Sequence, residues 1–96
     1  SESSQILWNT TVDCSISTLS VIQDATNPRF TLGCEDGRIF VLDSDGNVLN
    51  QGCLVESENQ ECDKTQGITN IVNDGSHIFV GTTKGSVARF TLASSP

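Results

Sequence analysis

A fourteen-residue pattern recurs in a second, similar stretch, and this internal similarity limits the possible folds more than any other feature of the chain. Residues 30–43 read FTLGCEDGRIFVLD and residues 78–91 read IFVGTTKGSVARFT, 48 positions later with no gap. Phe30 falls over Ile78, Leu32 over Val80, Gly33 over Gly81, Gly37 over Gly85, Ile39 over Val87 and Leu42 over Phe90. Each copy reads as strand, tight turn ending in glycine, strand. Gly37 and Gly85 supply the positive φ that such turns require. Self-similarity at this period points to repeated supersecondary units and not to one irregular domain.

The correspondence continues upstream. ISTLSVI (residues 16–22) resembles ITNIVND (68–74), and QILW (5–8) resembles NVLN (47–50). The spacing predicts strands at 6–12, 16–22, 29–34 and 38–43, then at 47–54, 68–72, 77–82 and 86–92. Two repeats result, about 5–46 and 47–92, the second carrying a polar insertion at 54–67. Asn27-Pro28, Asp45-Gly46, Asp74-Gly75 and Lys84-Gly85 punctuate the runs, as turn chemistry demands. β-branched residues are abundant and no sustained i, i+3, i+4 apolar stripe occurs, so helix is not expected. In the 38–43 strand Ile39 and Val41 take one face and Phe40 and Leu42 the other. A strand apolar on both faces belongs inside a stack of sheets.

A four-strand unit of this period, buried on both faces, has the dimensions of a β-propeller blade. DGRIFVLDSDGNVL, with ILW upstream, resembles the repeats of WD40 and quinoprotein-like propellers. The resemblance spans nearly the whole chain and implies an all-β fold of two four-stranded antiparallel blades. Leu42-Asp43 and Phe90-Thr91 stand where WD40 repeats carry Trp-Asp. The Gly-His element and the kelch Gly-Gly pair are missing, and Asn50 replaces the tryptophan kept at Trp8. No subfamily follows. Two blades cannot close a ring of roughly four to eight, so the resemblance implies part of a larger propeller, or one completed by other chains. Strand 6–12 would add to a blade elsewhere. The sheet ending near residue 92 would need outside β structure to cover Val87, Phe90 and Leu92.

Net charge is −7, from 5 Lys+Arg against 12 Asp+Glu. That balance opposes nucleic-acid binding, which needs cations to neutralise phosphates. No apolar run is long enough for a transmembrane helix, so membrane insertion is not expected. Cys14, Cys34, Cys53 and Cys62 contain no C-x-x-C spacing, and His77 is the single histidine, which disfavours zinc. Four cysteines allow three pairings. Local pairing, 14–34 with 53–62, is favoured by the predicted strand layout, with reduced thiols as the alternative. Asn9-Thr10-Thr11 is an N-glycosylation acceptor triplet. With an even cysteine count, it tilts the location towards secretion.

Asp43-Ser44-Asp45-Gly46-Asn47 resembles the start of a calcium loop, but Leu54 stands where an EF-hand needs glutamate. A plain turn is the better reading. No nucleophile elbow surrounds a serine, and His77 reads as a strand-start residue at a turn. Trp8 is expected to pack between blades, and residues 56–63 to form a solvated acidic loop. No enzyme activity and no cofactor are expected. The leading expectation is a non-catalytic interaction or structural scaffold whose partners are other blades, in this or another chain, and a protein ligand. The alternative is a carbohydrate-binding or adhesive propeller assembled from short chains, although the chain has only one Trp and no Tyr to form sugar platforms. A fragment of a quinone-dependent dehydrogenase propeller would require a calcium and cofactor cluster that the sequence does not assemble.

Overall fold

The computed structural model describes residues 5–23, 27–55 and 61–91. Its regular structure is all β. Strands β1 (Ile16–Ile22), β2 (Arg29–Cys34), β3 (Arg38–Leu42) and β4 (Val48–Cys53) form one antiparallel sheet in sequential order. Strands β5 (Ile68–Asn73), β6 (His77–Thr82) and β7 (Val87–Thr91) form a second. Two four-stranded sheets were expected; the second has three described strands. Residue 92, expected at the end of the last strand, lies outside the described residues, as do residues 56–60 of the insertion.

The other correction concerns residues 6–12, which form no strand. The segment instead crosses the first sheet, with Trp8 Nε1 donating to Ser44 O (3.0 Å) and Thr10 Oγ1 to Gly46 O (2.5 Å). No ladder holds it; these side-chain bonds, and Val12 packed beside Leu32, Phe40 and Leu42, fix it.

The repeat extends to irregularities that amphipathic patterning does not require. The β1–β2 ladder slips between Ile16 and Thr18, and the β5–β6 ladder slips between Ile68 and Asn70. Both turns close alike: Gly37 N donates to Cys34 O and Gly85 N to Thr82 O, each at 3.1 Å. Bulges and turns fix which face each side chain takes.

In the first sheet, pairing places Thr18, Thr31, Gly33, Ile39 and Val41 on one face, here called the inner face. That face packs on Ile71, Ile78, Val80, Ala88 and Phe90 of the second sheet. Gly33 allows the close approach, because a Cβ there would lie 2.5 Å from the Ile68 side chain. Ser17 Oγ bonds Ile68 O, and Asn73 Nδ2 donates to Val21 O (3.0 Å), tying β1 to β5. The opposite face of the first sheet, its outer face, gathers Leu32, Phe40 and Leu42 with Cys34, and Val12, Cys14 and Phe30 lie against them.

Candidate functional site

Gly37 and Gly85 have φ of 86° and 83°, the left-handed region that glycine enters without steric cost. Their surroundings differ. A Cβ on Gly37 would lie 2.9 Å from Gln66 O and 3.0 Å from Asp63 O, whereas one on Gly85 would meet nothing within 4 Å. The 62–67 loop covers the first turn and leaves the second open.

Asp63 organises that loop. It is buried in a stretch that composition marks as a solvated acidic loop. Its carboxylate accepts from Thr65 Oγ1 (2.5 Å), Thr65 N (3.0 Å) and Gln66 Nε2 (2.9 Å). These bonds, led by the Thr65 hydroxyl, hold its pKa down at about 2. The D-x-T-Q spacing that allows an Asx-type turn is its sequence signal. Asp43 and Asp74 cap turns the same way, accepting from the backbone of Asn47 and of Ser76 and His77, and both titrate below the usual aspartate range. Asp43 therefore closes a hairpin turn rather than opening a calcium loop. His77 Nδ1 lies 3.6 Å from Asp74 Oδ2 at the start of β6.

The cysteines form two disulfides, Cys14–Cys34 and Cys53–Cys62. The first ties the N-terminal segment to the end of β2. The second closes the insertion onto the end of β4, beside the Val55–Cys62 bridge. Asp36 lies near the first pair, but oxidised sulfurs have no thiolate to offer a metal. Arg38 joins the same corner, donating to Asp13 Oδ1 (2.7 Å) and Asp36 Oδ2 (2.9 Å).

Trp8 does not lie between the two sheets. Its ring covers Gly46, where a Cβ would meet Trp8 at 2.5 Å, and tilts against Phe30 with centroids 6.2 Å apart. Asn9 and Thr11 on the same segment are exposed. A cleft of about 120 Å³ opens between β3–β4 and β6–β7, lined by Ile39, Val41, Asn50, Gly52, Ile78 and Phe90. It is smaller than the roughly 300 Å³ at which small-molecule sites begin.

Two sheet faces among the described residues carry exposed apolar side chains. On the second sheet, pairing puts Val72, Phe79, Gly81, Val87 and Arg89 together, opposite the face that meets the first sheet. Val87 is 79% exposed and Val72 56%. On the first sheet, Leu19 (61%) and Val21 project with Phe30 and Leu32 from the outer face, and Ile16 is half exposed nearby.

No protein-family model matches the chain, and no curated protein matches it.

Proposed function

We propose that the two sheets are consecutive blades of a β-propeller and that the chain acts as a non-catalytic interaction or structural scaffold. One observation carries this reading. Moving Ile78, Val80, Thr82, Ala88 and Phe90 back by 48 residues gives Phe30, Leu32, Cys34, Phe40 and Leu42. Of the first set, Ile78, Val80, Ala88 and Phe90 belong to the core between the sheets, and the whole second set belongs to the outer-face cluster. Each sheet thus has one face of the same type, and the contact joining them is between unlike faces. A contact between unlike faces can be repeated indefinitely and closes into a ring when the rotation permits.

The covering segments repeat too. Leu54, at the end of β4, covers the second sheet's cluster, and Val12 covers the first sheet's. The pairing QILW/NVLN places Val12 over Leu54. On this reading residues 5–12 take the place of the outer strand of a preceding blade. A scaffold role suits a rigid stack whose turns converge at its ends. Two disulfides suit a secreted or extracytoplasmic setting.

Residual dipolar couplings test the blade reading. One rotation must carry the β2–β3 hairpin onto the β6–β7 hairpin, and its repetition must close after about four to eight steps. Sheets related by the ~30° of an aligned sandwich, with no closure, would overturn it.

A further inference from the structure

We infer that this chain binds a second copy of itself head to tail, with the open face of its second sheet seated on the outer face of the other copy's first sheet. The inference rests on the blade reading of the two sheets. The contact between the sheets within the chain is the template. There Gly33 receives Ile68, while Ile39 and Val41 complete the core. Forty-eight residues on, Gly81, Val87 and Arg89 occupy those positions on the open face. At Gly81 a Cβ would lie 2.5 Å from Asn70 Oδ1, so the Asn70 side chain reaches over this glycine as Thr18, its ladder counterpart, does at Gly33.

The counterpart of the residue that packs on Gly33 is present on the opposite face. Ile16 is the repeat counterpart of Ile68, at the same ladder bulge, yet it is half exposed where Ile68 is 1% exposed. Ile16, Leu19 and Val21 on one side and Val72 and Val87 on the other account for five exposed large apolar residues. One heterologous contact covers them all.

Two residues depart from the template: Phe79 stands where the first sheet has Thr31, and Arg89 where it has Val41. The template places Val41 against Ile78, Phe90 and Asn50 around the cleft. Their counterparts are Phe30, Leu42 and Trp8. Arg89 of one copy would then face the Trp8–Phe30 ring pair of the other, a cation–π arrangement. The same docking lays residues 5–12 of one copy beside β7 of the other, as β4 lies beside β3.

The test pairs two variants of the full chain, Val87→Asp and Ile16→Asp, each altering one of the two faces at an exposed position. Sedimentation velocity and Trp8 fluorescence are read across a dilution series. Wild-type protein should associate, with Trp8 emission changing as it does. Each variant should weaken association at least ~10-fold. An equimolar mixture should form a heterodimer and nothing larger, because one intact face of each kind remains. If either variant fails to melt cooperatively, Leu19→Asp or Val72→Asp replaces it. Wild-type protein that stays a cooperatively melting monomer overturns the inference, as does a mixture that stays monomeric. Neither result touches the blade reading, which stands or falls on the rotation between the hairpins.

Discussion

β3 and β7 hold the same place in two hairpins 48 residues apart, yet their environments differ. Ile39, Phe40, Val41 and Leu42 are all buried, whereas β7 alternates between exposed Val87, Arg89 and Thr91 and half-buried Ala88 and Phe90. The second sheet covers one side of β3 and the N-terminal segment covers the other. Among the described residues, β7 has a neighbouring sheet on one side only. Burial in this molecule is therefore set by which sheet comes next, since hydrophobic stabilisation follows area removed from water and not residue type.

Truncating the matched pair breaks that comparison most directly. Ile39→Ala should cost about 2–5 kcal/mol, the usual range for emptying a packed aliphatic site. Val87→Ala should stay within about 0.5 kcal/mol in the monomer, as surface changes do. Urea denaturation at a concentration below any association measures both, and equal losses would show that β7 is covered.

The disulfides sharpen the contrast at the hairpin ends. Cys34 is bonded to Cys14, 20 residues away, and its counterpart Thr82 instead accepts from Ser86 N (3.1 Å). Replacing Cys14 and Cys34 with Ser should cost about 3 kcal/mol on loop-closure grounds. It should also raise amide exchange at Leu32 and Phe40 before β6. Intact native protein should weigh four hydrogens less than its reduced form, as two disulfides require, and should resist alkylation until reduced.

The turns give a smaller, graded effect. Gly37→Val and Gly85→Val should each cost about 1–3 kcal/mol, because a β-branched residue is strained at positive φ. Gly37→Val should be the worse, since its side chain also meets two carbonyls of the 62–67 loop. Gly52→Val should be the mildest: a Cβ there sits 3.7 Å from Phe90, at ordinary contact distance. Thermal melts of the three variants give the order.

The smallest effect concerns acid. Asp63 titrates at about 2 in the fold, below the ~3.9 of a free aspartate. The unfolded chain takes up this proton first, so the contribution is complete above ~4 and is lost as pH falls towards ~2. Asp63→Asn should remove that component from the acid-unfolding curve. Exchange protection at the Gly37 turn should fall in the same range while the Gly85 turn, which the loop does not cover, stays unchanged.

Strand positions, the glycine turns and the two local disulfide pairs were legible from residue types alone. Each depends on chemistry within a few residues, or on one short hairpin: β-branched side chains on a pleat, positive φ at Gly37 and Gly85, cysteines flanking adjacent strand ends. The buried role of Asp63 was not legible, because a carboxylate in an acidic stretch looks solvated until Thr65 and Gln66 fold over it. The course of residues 5–12 was not legible either. Their likeness to residues 47–50 reads as a strand, but the segment is held to the 44–46 turn by the Trp8 and Thr10 side chains and joins no ladder.

The sequence by itself determined the repeat and therefore the type of each face, because a period of two residues along a strand sorts side chains regardless of what lies beyond. The tertiary structure alone decided which faces meet. Ile68 and Ile16 have the same identity and the same place at a bulge, and one is buried in the Gly33 notch while the other is half exposed. The difference is the presence of a neighbouring sheet, a long-range fact that no local pattern carries.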